Sequence, residues 1–302
     1  MAKAETTAAQ ESAKAFLNAK CGNVDAARDA LESAGFELEE IEPGEMERAL
    51  KNAIDEGAER ILVAGGDGTI ATAAALVAKT KTELAILPGG TLNHFARDHG
   101  IPTDLGDAAK VAGNGQVVGA DLGYVNDCVF LNTSSIGAYV TFVRARERLE
   151  KRFGYKISSF LAAARMVSEI RSFNVELEVD GMSKRYRTSM VFIGVGEREL
   201  QMPTLGSRVN GGKRGLHVMV VRGRRPARLF AIAMNAIARG TKEASMLPEF
   251  ESFVVDRCRI DLTRTQATVA VDGELKTMHT PLDYRIERDA LRLVVSSLKG
   301  DE

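Results

Sequence analysis

Apolar positions in the first part of the chain recur in two rhythms. Ile61-Leu62-Val63-Ala64 and Leu84-Ala85-Ile86-Leu87 are continuous apolar runs, which predict short strands buried on both faces. Between and before them lie stretches with helical spacing: Val24–Ala34 ending at Gly35, Met46–Glu56 ending at Gly57, and Ile70–Ala78. Ala15–Asn18 and Phe36–Ile41 add two further strands. Strand and helix alternate, which predicts a mostly parallel sheet covered by helices.

The pattern changes near Val117. Val117–Tyr124 and Val129–Ile136 read as strands, then Tyr139–Leu149 and Ile157–Ile170 as helices. Beyond Phe173 strand signals dominate: Val175–Val179, Tyr186–Val195, Leu216–Val221, Phe250–Val255, Cys258–Leu262 and Ala267–Val271. Asp180-Gly181 is a hairpin signal, and one helical stretch, Ala227–Ala238, interrupts the series. A last alternating strand is expected at Ala290–Ser296. The expected class is therefore α/β in two domains, an α/β domain followed by a mostly antiparallel β domain.

Length and composition narrow the picture further. The 302 residues suit about two domains. A net charge of −1 argues against a general nucleic-acid binder. Cys21, Cys128 and Cys258 are few and scattered, which fits a reducing compartment and gives no disulfide framework or zinc motif. The first twenty residues hold no signal-peptide core, and the longest apolar runs, Ile70–Ala78 and Leu229–Ala238, are too short to span a bilayer. Cytoplasmic location with peripheral membrane contact is the expectation. Arg144, Arg146, Arg148, Lys151 and Arg152 alternate with Glu147 and Glu150 and read as a solvated mixed face. Arg222, Arg224, Arg225 and Arg228 are more one-sided; they read first as a solvated loop and, beside the apolar run Leu229–Ile237, are the first guess for any membrane contact.

The chemistry starts at two glycine-rich turns. Gly65-Gly66-Asp67-Gly68-Thr69 follows the first apolar run, and Pro88-Gly89-Gly90-Thr91-Leu92-Asn93 follows the second. Strand-to-glycine-to-helix turns at neighbouring parallel strands predict a phosphate site, because bare backbone N–H groups can approach a polyanion. Asp67 would repel phosphate unless a divalent cation bridges the two. Asp272-Gly273-Glu274 has two readings. On a strand, Asp272 and Glu274 project to one side; as Asp-Gly, the string is a turn, which the sequence alone favours.

These strings resemble the diacylglycerol kinase catalytic domain superfamily, which includes the sphingosine and ceramide kinases. The resemblance rests on GGDGT at 65–69, PGGTLNHFARDHGIP from Pro88 to Pro102, Asp121-Leu122-Gly123, Phe130-Leu131-Asn132, Ile136-Gly137 and Val271-Asp272-Gly273-Glu274, in the family's order. It implies an amino-terminal Rossmann-like, three-layer α/β nucleotide-binding domain, residues 1–124 with about 284–302 returning to it. A β-sandwich lipid domain would span 125–283. It implies ATP and Mg²⁺ as cofactors and a lipid hydroxyl as acceptor, diacylglycerol first, a sphingoid base or phosphatidylglycerol next, met at a membrane surface. A homodimer is a further option. Nucleotide contacts would be Asn18, Gly22, Gly65, Gly66, Asp67, Gly68, Thr69, Gly90, Thr91 and Asn93. Asp67, Asp121 and Glu274 would serve the metal, and Asp272 would be the general base with Glu274 beside it. On this reading Asp272→Asn removes turnover and leaves folding intact.

The chain also departs from the family. Asn18-Ala19-Lys20-Cys21-Gly22 is a degenerate form of the family's NPxSG loop, and His94 stands where many relatives have Asp. Glu197 stands where relatives often have Asn, and the stretch Leu205 to His217 lacks the carboxylates of a structural metal loop. Two rival readings follow: an NAD kinase, which shares GGDGT, and a non-catalytic binder of nucleotide or lipid.

Overall fold

A computed structural model describes residues 13–145, 171–200, 205–209, 211–222 and 250–297. The chain divides into two units, one running through Leu122 and resuming at Glu287, the other Gly123–Ile286.

The first unit holds β1 (Ala13–Asn18), α1 (Val24–Ser33), β2 (Leu38–Ile41), α2 (Met46–Asp55), β3 (Arg60–Gly65), α3 (Asp67–Val77), β4 (Glu83–Pro88), α4 (His94–Asp98) and α5 (Leu105–Asn114). β1 lies between β2 and β3, and β3 lies beside β4, all parallel. The end of the last strand, Leu282–Val295, adds to β4 in parallel through Arg292 and Leu293. The C-terminal segment thus returns to the first domain, as the resemblance implied.

Both faces of this sheet are covered. Leu62, Ala64, Ala85 and Leu87 join Ala27 and Leu31 of α1 and Ala108, Ala109 and Ala112 of α5 in one core. Their neighbours Ile61, Val63, Leu84 and Ile86 are also buried, as are Leu50 of α2 and Ile70 of α3. Strands flanked by helices on both sides have no polar face, which is why they read as continuous apolar runs. The three-layer α/β expectation holds.

At the amino ends of these strands, Glu83 is clamped between Arg60 on β3 and Arg292. Arg60 also donates to the carbonyls of Ala112 and Gly113 at the end of α5, 3.0 Å each. Burial works to raise the Glu83 carboxyl, and the two guanidinium groups outweigh it, holding it below the ordinary range. Replacing Arg60 by Leu leaves two carbonyls and a carboxylate oxygen without their donor. It is expected to cost about 2–3 kcal/mol, read as a lower midpoint in urea unfolding.

The second unit is built on antiparallel pairs. Its strands are β5 (Gln116–Val125, entering from the first unit), β6 (Cys128–Phe130), β7 (Thr133–Gly137), β8 (Phe173–Val179), β9 (Met182–Val195), β10 (Arg198–Leu200), β11 (Leu205–Arg208), β12 (Leu216–Arg222), β13 (Phe250–Val255), β14 (Arg257–Leu262), β15 (Gln266–Val271), β16 (Glu274–His279) and the start of β17 (Leu282–Val295). The first half of β9 pairs with β8; its second half pairs with β7 and with β12. One core gathers inward residues of these strands, among them Phe130, Val191, Ile193, Val218, Ile260 and Tyr284. Mostly antiparallel pairing matches the expectation. Among the described residues no helix is long and apolar enough to cross a membrane.

The sequence reading needs several local corrections. The single strand expected over Val129–Ile136 is two, β6 and β7, broken at Leu131 and Asn132. β16 was read as no strand, because its exposed face is polar. The last strand begins at Leu282, eight residues before Ala290. Residues 138–145 are helical, in line with the start of Tyr139–Leu149. The helices expected at Ile157–Ile170 and Ala227–Ala238 lie outside the described residues, as do most of both basic clusters.

Candidate functional site

The first unit contains a topological switch. From β1 the chain crosses to β2 on one side, and β3 comes back on the other. Ligands of open α/β sheets bind outside the carboxyl ends of strands at such a point. The loops after β1, β3 and β4 all meet there.

Their contacts are tight and mostly backbone. The Gly22 N–H donates to the Gly89 carbonyl at 3.2 Å, and the Gly89 N–H donates to the Gly65 carbonyl at 2.9 Å. Asn18, at the end of β1, donates from Nδ2 to the Thr69 hydroxyl at 2.7 Å, while its Oδ1 accepts from the Lys20 N–H. Asn93 closes the second loop on itself: Oδ1 accepts from the Gly90 N–H and Nδ2 donates to the Gly90 carbonyl, both at 2.9 Å. A Cβ on Gly90 would sit 2.9 Å from the Cα of Gly66, and one on Gly65 would sit 2.7 Å from the Cβ of Thr69. Side chains at either position would push the loops apart. Asn18, Gly22, Gly65, Gly66, Thr69, Gly90 and Asn93 are therefore brought together. Gly68 and Thr91 are the exposed tips of the two glycine loops. The weak first loop is held by Asn18 and Gly22, the two positions it keeps of the family string.

Asp67 begins α3 and faces the backbone N–H groups of Asn93, His94 and Phe95 at the start of α4. Burial raises its carboxyl above the ordinary range; the charge of His94 and those three N–H groups pull the other way without prevailing. Its Oδ1 is buried and has no hydrogen-bond partner. A buried carboxylate oxygen without a donor is expensive, and a site that tolerates one is organised to receive a positive group. His94, read as a departure, lies beside Asp67 at the start of α4, a placement that only the fold reveals.

Asp121 is placed differently. It is buried on β5, and its Oδ1 accepts from the Asp289 N–H at 3.0 Å. Among the described residues no three His, Cys, Asp or Glu side chains gather to hold a metal ion. Mg²⁺ commonly takes only one or two carboxylates, with phosphate and water supplying the rest, so the free oxygen of Asp67 fits that ion in the presence of a polyphosphate.

The second unit contains the Asp272 hairpin. Val271 pairs with Glu274, so Asp272-Gly273 is a two-residue turn, with φ of 47° and 86°. Both angles are positive, as a type I′ turn requires. The strand reading, with Asp272 and Glu274 on one side, is corrected: the turn places them at different points of the hairpin, and Glu274 is exposed at the start of β16. The Asp272 carboxylate is inward and heavily engaged. Oδ2 accepts from the Leu131 N–H at 2.7 Å, and Oδ1 from the N–H groups of Asn132 and Thr133, both at 2.9 Å. The Asp272 N–H returns a bond to the Thr133 carbonyl. Burial raises the Asp272 carboxyl, while the three N–H groups and Arg198 oppose it.

The break between β6 and β7 now has a cause. Residues 131–133 turn their N–H groups to Asp272 instead of to a neighbouring strand. Phe130-Leu131-Asn132 was noted in the sequence without a role; its backbone is the seat of Asp272. Asn132 is buried, and its side-chain Oδ1 has no partner, which marks a second acceptor beside Asp272. Glu197 also acquires a role: Oε2 accepts from the Lys213 N–H at 2.9 Å, holding the loop that follows β11.

Comparison with known proteins agrees with this geometry. Residues 13–125 match the model of the diacylglycerol kinase catalytic domain. A protein of Pseudomonas syringae pv. tomato named as a probable YegS-like lipid kinase is 34% identical over 198 residues, 62% of this chain and 63% of that protein. A diacylglycerol kinase of Staphylococcus carnosus is 28% identical over 156 residues, 50% of this chain and 51% of the relative. The chain thus spans between half and two thirds of the curated relatives it matches. The solved structure of a diacylglycerol kinase from Bacillus anthracis superposes with a TM-score of 0.68 at 20% identity, covering 94% of this chain and 96% of that one, which shows a shared fold. Residues 13–125 are thus similar in sequence to the diacylglycerol kinase catalytic domain, and the chain shares its fold with a solved diacylglycerol kinase.

Proposed function

We propose that the protein is a lipid kinase that transfers the γ-phosphoryl group of ATP to a lipid hydroxyl at a membrane surface, with diacylglycerol as the favoured acceptor and phosphatidic acid as product. The observation that carries this reading is the three-loop cradle at the sheet's switch point, with the unpartnered Oδ1 of Asp67 beside it. The lipid-kinase names of the relatives support the acceptor class.

The backbone N–H groups around Gly66 and Gly68 receive phosphate oxygens, and the start of α3 adds its free N–H donors. Asp67 is the residue that would hold Mg²⁺, and the ion would supply charge neutralisation on the phosphates. Asn18 and Asn93 keep the loops in register. Asp272 takes the proton of the attacking hydroxyl. Burial makes its carboxylate more basic, which suits that task, and the three N–H groups at 131–133 fix its orientation.

The test is transfer from labelled ATP into a panel of lipids in mixed micelles, with and without Mg²⁺, including sphingosine and NAD. Mg²⁺-dependent label in diacylglycerol is the expected result. Label in NAD, or none in any acceptor despite ATP binding, overturns the reading.

A further inference from the structure

Three arginines converge on one cavity of the second unit. The cavity holds about 680 Å³, within the range of small-molecule sites. Arg144 reaches it from the helical residues 138–145, Arg171 from just before β8, and Arg264 from the turn between β14 and β15. Among the described residues none of the three guanidinium groups has a hydrogen-bond or ion-pair partner, and no Asp or Glu lines the cavity. Its lining is mixed, and Val140, Phe173 and Leu262 give it an apolar part.

A neighbouring cavity of about 620 Å³ in the same unit gives the contrast. It also has arginines, Arg185 and Arg187, but Glu176 and Asp261 share its lining, and Arg185 is bonded to Glu176 at 2.8 Å. Charge there is neutralised internally. Around Arg144, Arg171 and Arg264 no described residue neutralises it. Three like charges on one opening repel one another unless an anion joins them, and guanidinium forks match phosphate oxygens. Free phosphate has no use for an apolar wall. A phosphate attached to hydrocarbon uses both parts.

We propose that this cavity binds the phosphate headgroup of an anionic phospholipid, with the adjoining hydrocarbon against Phe173 and Leu262. The cavity is lined in part by the start of β15 but by none of the glycine-loop residues nor by the Asp272-Gly273 turn, and its anionic occupant is distinct from a neutral lipid acceptor. It would seat the second unit on an anionic bilayer whatever the first unit does. Sequence alone set Arg144 in a solvated mixed face; its partners Arg171 and Arg264 are distant in the chain.

The test is binding of the full chain to phosphatidylcholine vesicles with and without phosphatidic acid. Wild type is expected to bind only the anionic vesicles. The triple variant Arg144→Gln, Arg171→Gln, Arg264→Gln is expected to bind about 100-fold more weakly, since each basic residue near an anionic surface contributes about fivefold. All three side chains are exposed, so the fold should persist, which the circular dichroism melt checks. A charge-matched control, Lys184→Gln, Arg185→Gln, Arg187→Gln, should stay close to wild type. Equal loss in both triples reduces the effect to net charge and overturns the proposal, as does no binding by wild type. Inorganic phosphate that occupies the cavity as tightly as the vesicles, followed by arginine side-chain NMR signals, makes it a free-phosphate site and overturns the lipid assignment. Transfer from ATP, measured separately in neutral micelles, reports on the kinase reading alone.

Discussion

Asp67→Asn is expected to abolish phosphoryl transfer, by about 10³-fold or more, and to make the ligand-free protein more stable. The loss follows from removing the charge that the site presents to Mg²⁺ and the phosphates. The gain follows from the carboxyl's environment. Its folded pKa is raised above the unfolded value, with burial as the leading cause. A group raised in this way contributes stability that is present below the unfolded pKa, near 3.9 for Asp, and lost as pH rises through the folded value. Above the folded value the protein carries the cost of an ionised, partly orphaned carboxylate. Asn keeps an acceptor for the N–H groups at the start of α4 and removes the charge. Each kcal/mol recovered raises the melting temperature by about 2–4 °C in a protein of this size. The difference between variant and wild type should shrink as pH falls towards 4. A variant that melts below wild type at pH 7 would show that the carboxylate stabilises the loops instead. With MgATP present the order should reverse, because only wild type gains from the ligand.

Asp272→Asn has a different signature, in which activity and stability fall together. Asn fits the left-handed turn, since Asn-Gly is a favoured type I′ pair, so the backbone is not strained. The side-chain oxygen accepts from one side only. Where the amide nitrogen replaces the other oxygen, at least one N–H of residues 131–133 loses its acceptor in a buried place. That costs about 1–3 kcal/mol. Transfer should fall by about 10²–10⁴-fold if Asp272 takes the hydroxyl proton. The sequence-based expectation that folding stays intact is revised by these three bonds. ATP binding, measured by calorimetry at a temperature where the variant is folded, should be unchanged. Wild-type turnover in a destabilised variant would leave Asp272 as the anchor of residues 131–133 and remove it as the base.

Much of the first unit was legible because its strands are buried on both faces. Ile61–Ala64 and Leu84–Leu87 have no polar position to blur them, and glycines punctuate the loops at strand ends. The glycine loops were readable because their close backbone contacts need bare backbone at fixed places, and that need leaves glycines in the sequence. β16 was hidden because an exposed hairpin strand such as Glu274–His279 carries no apolar alternation. The break at Leu131 was hidden because its cause, the Asp272 carboxylate, lies about 140 positions later.

The sequence by itself determined the α/β class, the antiparallel second part, the glycine loops and the family resemblance. Each is local, set by periodicity or by a few adjacent residues. Tertiary structure alone decided that Asp272 is held by three distant N–H groups, that His94 lies beside Asp67, and that Arg144, Arg171 and Arg264 share a cavity. These depend on pairs far apart in the chain, and burial and charge act through space, which the order of residues does not record.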